Sequence, residues 1–133
     1  MFSLDSSTAI DFLRRPPAQL VRRIAEARDA GLLTISAIVL FELSYGAERR
    51  VHPTHLERLQ TFLGGGVEVI EFDAEDAWAA GEVRARLERS GARIGPYDTL
   101  IAAQALRRDL VLVTANLREF ERIPGLRLET WRE

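Results

Sequence analysis

Apolar residues in this chain fall into two alternating patterns. Short apolar runs occur at residues 2–5, at Leu32-Leu33-Thr34-Ile35, at Val67-Glu68-Val69-Ile70, at Leu110-Val111-Leu112-Val113 and at Leu126-Arg127-Leu128. They read as strands, the fourth being a buried, β-branched one. Between them lie longer stretches whose apolar positions recur every three or four residues, as on one face of a helix. The spacing predicts helices over 8–14 and 17–30, with Pro16-Pro17 marking the break between them. Gly31 fits the residue just past a helix end. Ser36 can cap a helix running to about residue 50. Pro53 opens another, which stops at Gly64-Gly65-Gly66. Asp73 caps a third, with Asp76 in its first turn, and this helix runs to Ser90-Gly91. Gly95-Pro96 introduces one more, ending near Arg108. Strands alternating with helices of this length predict an α/β fold: a single domain over 1–133 with a mainly parallel sheet and helices on both faces.

Length and composition agree with one globular domain. A chain of 133 residues can bury roughly two-thirds of its unfolded surface. The absence of cysteine excludes disulfides and thiolate metal sites and fits a reducing, cytoplasmic setting. No apolar stretch approaches the roughly 20 residues of a membrane span, and Asp5, Asp11, Arg14 and Arg15 interrupt any export signal. All 18 basic residues are arginine. Chemistry that needs an ε-amine is thereby excluded, including Schiff bases, P-loop phosphate binding and receiver-type phosphoacceptor switches.

Three carboxylates interrupt the apolar pattern. Asp5 closes the run Met1–Leu4, Glu42 sits inside Ile38–Leu43, and Asp98 begins Thr99–Ala103. In an open parallel sheet, ligands bind beyond the carboxyl ends of the strands. Asp5 ends the first strand and Glu42 lies in the helix after the second. Thr114-Ala115-Asn116 follows the fourth, with Glu119 one turn on. Asp98 shares a helix face with Ile101, Ala102, Ala105 and Leu106, so it points inward, and its place near a helix start favours the ionised form. A buried carboxylate is costly unless it is paired or holds a metal. One acidic pocket, and a divalent cation in it, is the reading that joins all three.

Each acid also has a plainer explanation. Asp5 can be a helix cap. Asp98 can be a first-turn acid worth about 0.3–1 kcal/mol. Glu42 can pair with an arginine. His52-Pro53-Thr54-His55 has a metal-like spacing, but Pro53 breaks the helical geometry and no partner ligands are visible, so two exposed histidines at a helix start are expected. Gly64-Gly65-Gly66 lacks the spacing of a nucleotide loop. The helix over 74–90 reads as a solvated amphipathic element that can also serve a dimer contact.

Four segments carry a resemblance. They are Leu4-Asp5-Ser6-Ser7, Ile35–Glu48 with Phe41-Glu42-Leu43-Ser44-Tyr45-Gly46, Ile94-Gly95-Pro96-Tyr97-Asp98-Thr99-Leu100-Ile101-Ala102-Ala103, and Val113-Thr114-Ala115-Asn116-Leu117-Arg118-Glu119-Phe120 through Leu126. In wording and order they resemble PIN-domain proteins of the VapC toxin type, over nearly the whole chain. The resemblance implies a parallel sheet of about five strands flanked by helices. It implies a Mg²⁺- or Mn²⁺-dependent endoribonuclease, a small VapB-like antitoxin as partner, and a homodimer. By position, Asp5, Glu42 and Asp98 match the family's acidic core. Asn116 stands where many members have an acid, and Glu119 matches a nearby acidic position. Ser6-Ser7 replaces the Thr-Asn common after the first aspartate.

The implied chemistry is hydrolysis of RNA phosphodiesters with an ion that activates water. Asp5 and Asp98 are expected as direct ligands, with Glu42 acting directly or through water. Asn116, Thr114 and Glu119 would orient waters or support a second ion. Ser6 and Arg118 are expected to support the site and substrate, with Arg14 and Arg15 as further RNA contacts. Two alternatives stand beside this reading: a PIN-fold RNA-processing nuclease outside any toxin–antitoxin pair, and a catalytically weak binding module.

Overall fold

A computed structural model describes residues 1–132. Five strands are formed: β1 (Phe2–Leu4), β2 (Leu33–Ser36), β3 (Glu68–Ile70), β4 (Val111–Val113) and β5 (Leu128–Glu129). They build one sheet in the order β3-β2-β1-β4-β5, with every pair parallel. Leu4, Leu33, Ile35, Leu112 and Val113 are almost completely buried, as expected of central parallel strands covered on both faces. Thr34, a deeply buried polar residue of β2, donates its hydroxyl to the Phe2 carbonyl at 2.8 Å.

The helices are α1 (Ser6–Leu13), α2 (Ala18–Asp29), α3 (Ala37–Glu48), α4 (Thr54–Leu63), α5 (Ala74–Arg89), α6 (Pro96–Arg107) and α7 (Leu117–Phe120). Their ends follow the expected chemistry. Ser36 caps α3 by accepting from the Ile38 amide at 3.1 Å. Gly31 follows α2 with φ +70°, a left-handed conformation that a side chain resists. Among the described residues no helix is long and apolar enough to cross a membrane.

Three differences from the sequence reading bear on the site edge and the chain's end. α1 begins at Ser6, two residues earlier than expected, because Asp5 supplies the cap. β5 pairs over Leu128–Glu129 rather than 126–128. α7 was not expected; its four residues are too few to show a helical period.

α5 and α6 are joined by an ion cluster around Asp76. Asp73 and Asp76 form a reciprocal capping box at the start of α5. The fully buried Asp76 carboxylate accepts from Arg107 Nε at 2.8 Å, Arg108 Nη2 at 3.0 Å and Gln104 Nε2 at 2.9 Å. Burial alone would raise its pKa, but the Arg108, Gln104 and Arg107 donors hold it well below the usual carboxylate range. This cluster anchors the far end of α6, the helix whose first turn carries Asp98.

Removing one member of such a buried set strands the others, at a typical cost of about 3 kcal/mol or more. Asp76→Ala is expected to lose about that much stability in urea denaturation at neutral pH. Because the folded-state pKa is depressed, the Asp76 contribution is present above about pH 4, the unfolded carboxylate's range, and is lost as pH falls below it. A loss below about 1 kcal/mol at pH 7 would show that the cluster is not the anchor described.

Candidate active site

The winding direction of the sheet reverses between β1 and β4, and ligand crevices form at such a point beyond the strand ends. The register pairs Leu4 with Ile35 on one side and Val113 on the other. The next residue, Asp5, therefore emerges between Ser36 and Thr114, and its amide donates to the Val113 carbonyl at 3.0 Å.

Asp5 is both a cap and a site residue. Its Oδ1 accepts from the Thr8 amide at 2.9 Å, which starts α1. Ser7 Oγ lies 2.8 and 2.9 Å from its two oxygens, and Thr114 donates to Oδ2 at 2.5 Å. Thr114 in turn accepts from the Asn116 amide at 2.9 Å. Both oxygens of Asp5 are thus fixed in place. Burial pushes its pKa up, and the donors from Thr114, Thr8 and Ser7 oppose that without cancelling it.

Glu42 projects from α3 and is half-buried. Among the described residues it has no arginine partner; its partner is Ser6, whose hydroxyl donates to Glu42 Oε1. Asp98 lies in the first turn of α6. Its pKa is pushed up to about 7 by burial, by a side-chain hydrogen bond shared with Glu119, and by the negative charges of Glu119, Asp5 and Glu42. The expectation that the helix dipole keeps Asp98 ionised is therefore corrected. A dipole worth about 1 kcal/mol at most is outweighed by burial among like charges. Glu119, on α7, accepts from Asn116 Nδ2 at 2.7 Å and weakly from the Gly95 amide at 3.4 Å.

The expected acids thus influence one another at one sheet edge. Among the described residues, Asp5, Glu42, Asp98 and Glu119 make no ion pair with any arginine. The donor set is all oxygen and carries surplus negative charge, which suits a hard divalent cation. Among the described residues no three acidic, histidine or cysteine groups close into a ready-made cage. Arg118 is exposed and has no hydrogen bond or ion pair among the described residues. His52 Nδ1 accepts from the Thr54 amide at the start of α4, as expected of a helix-start residue.

Two supports were missed in the sequence. Ser7 replaces an amide side chain, yet its hydroxyl reaches Asp5; the signal was a hydroxyl two residues after an acid at a helix start. The Gly95 amide was not expected to face Glu119, because the two are 24 residues apart.

A parallel α/β sheet with an uncompensated carboxylate pocket at its switch point defines a class of protein suited to phosphate-ester chemistry. The PIN domain profile matches residues 3–126. The chain is 42% identical over 131 residues to the tRNA(fMet)-specific endonuclease VapC of Salmonella typhimurium, covering 98% of this chain and 97% of that one. It is 34% identical over 131 residues to Ribonuclease VapC2 of Haemophilus influenzae, with the same coverages. Among solved structures, DNA-bound VapBC from Salmonella typhimurium superposes with a TM-score of 0.91 at 42% identity, over 98% of this chain and 97% of that one. VapBC2 from Rickettsia felis, bound to a promoter DNA fragment, also gives 0.91, at 34% identity and 98% coverage of each chain. The chain belongs to the PIN-domain family, as one of its VapC ribonucleases.

The raised pKa of Asp98 has a consequence for stability. Between about pH 4 and its folded value of about 7, the folded state holds a proton that the unfolded state has released. Stability of the metal-free protein therefore falls as pH rises through this window. Asp98→Asn is expected to raise Tm by a few degrees at pH 8 in EDTA and to leave it unchanged at pH 4. An unchanged or lower Tm at pH 8 would mean that the acids do not repel one another as described.

Proposed function

We propose that this ribonuclease hydrolyses RNA phosphodiesters with a divalent cation, Mg²⁺ or Mn²⁺, held by Asp5 and Asp98 and by Glu42 directly or through water. The observation that carries the reading is that the ends of β1 and β4 and helices α3 and α6 bring Asp5, Glu42, Asp98 and Glu119 to one sheet edge, where among the described residues none of them pairs with an arginine. When bound, such an ion supplies Lewis-acid activation of water and charge neutralisation at the phosphate.

The chain's own residues do the positioning. Ser7, Thr114 and the Thr8 amide fix both oxygens of Asp5. Ser6 holds Glu42. Asp98, whose pKa is pushed up by burial, by its hydrogen bond with Glu119 and by the neighbouring acids, would hold the ion in its ionised form. Asn116 steadies Glu119 through its amide, so this pair orients water or supports a second ion. Arg118, exposed on α7, is available to the RNA backbone.

The catalytically weak alternative rested on Ser7 and Asn116, and both make hydrogen bonds that serve the pocket. The RNA to test first is tRNA(fMet), since relatives at 42% and 39% identity carry that specificity in their names. A VapB-like antitoxin is the proposed partner, because the similar solved structures are VapBC complexes; this favours a toxin role over general RNA processing. Homodimerisation and a cytoplasmic location belong to the same proposal.

With purified protein, cleavage of tRNA(fMet) is expected with Mg²⁺ or Mn²⁺ and to stop in EDTA. Asp98→Asn is expected to lower the rate by on the order of a hundredfold or more. Ser6→Ala, which frees Glu42, is expected to cost about tenfold. Cleavage that survives EDTA, or full activity in Asp98→Asn, would rule out this mechanism.

A further inference from the structure

Helices α1, α3 and α4 and the start of α6 line a groove of about 450 Å³, and Glu42 of the acidic pocket forms part of its wall. The chain as a whole carries a net charge of −2, but this groove has the opposite character. Arg14, Arg49, Arg50 and Arg58 line it. Among the described residues none of the four makes an ion pair. Arg58 only reaches the Leu13 carbonyl, at 3.5 Å. His55, also in the wall, has its pKa lowered by burial and by Arg50, Arg58, His52 and Arg14, which places these charges around one spot.

The groove also exposes aromatic rings. Phe41 and Tyr97 are about half exposed and pack with centroids 5.6 Å apart. Tyr45 is 60% exposed, with the Arg49 guanidinium 5.6 Å from its ring centre. Phe41 directly precedes Glu42 and Tyr97 directly precedes Asp98, so the rings border the acids through the backbone. Unpaired guanidinium groups interleaved with open ring faces match a single strand of nucleic acid, with phosphates on the arginines and bases on the rings.

We propose that this groove holds an unpaired stretch of the RNA substrate beside the scissile bond, with phosphates on Arg49 and Arg50 and a base stacked on the Phe41–Tyr97 pair. The proposal rests on the ribonuclease reading but concerns binding, not hydrolysis. Its positive charge lies next to the acidic pocket, so the strand is held there while its scissile phosphate approaches the acids.

The test measures fluorescence anisotropy of a short, unstructured labelled RNA with the purified chain in EDTA, where binding is read without cleavage. The Arg49→Ala/Arg50→Ala double variant should bind more weakly. Its slope of log affinity against log salt should fall by about 1.4, since each phosphate that an arginine neutralises on a single strand contributes about 0.7. Tyr97→Ala should weaken binding about tenfold, and Tyr97→Phe should retain it. Trp78→Ala, at an exposed position on α5, should match the parent chain. Circular dichroism checks that each variant is folded. Unchanged affinity and salt slope in the folded double variant, or no measurable RNA binding by the parent, would overturn the proposal. Loss of binding to a protein antitoxin with RNA affinity intact would also overturn it and assign the groove to protein. Metal-dependent cleavage that disappears in Asp98→Asn but is indifferent to the groove variants would sink this inference alone. RNA bound in the groove without metal-dependent cleavage would instead leave it standing and remove the proposed hydrolysis.

Discussion

Repulsion among carboxylates that the backbone forces together is the constraint on which this structure turns. Asp5 cannot leave the crevice, because its amide is tied to β4 and its side chain starts α1. Asp98 is held by a helix whose far end is anchored to α5. Glu42 is carried in by α3, and Glu119 by a short helix after β4. Hydroxyl and amide donors orient these acids, but among the described residues no arginine forms an ion pair with them. The fold thereby retains a negative charge density that an isolated polypeptide would disperse, and that a bound cation would relieve.

The same residue type has opposite fates at two places. Asp76 is fully buried yet strongly acidic, because two arginines and a glutamine donate to it. Asp98 is less buried yet weakly acidic, because burial and then its carboxylate neighbours both raise its pKa. Burial raises the pKa in both cases, so the partner's sign decides the outcome. One aspartate welds two helices; the other keeps a site unsatisfied. With no lysine in the chain, arginine supplies the positive side chains both of such structural pairs and of the groove beside the pocket.

Much of the architecture was legible in the order of residues. β1, β2 and β4 stood out because parallel strands buried on both faces need unbroken apolar runs. Ser36, Asp73 and Gly31 marked helix ends through local chemistry. α7 and the register of β5 were not legible, since four residues and two residues carry no period. The acids were legible as polar residues embedded in apolar stretches. Their protonation was not, because the charges that lift Asp98 come from residues far apart in sequence. Ser7 as a holder of Asp5, the Gly95 amide on Glu119, and the groove formed by several helices depend in the same way on contacts that only the folded chain creates.

The most direct test of the central claim is anomalous diffraction at the manganese edge from crystals soaked in Mn²⁺. This account predicts an anomalous peak between Asp5 and Asp98, within reach of Glu42 directly or through water. A fully soaked crystal with no peak there, or with Mn²⁺ bound only away from these acids, would contradict it.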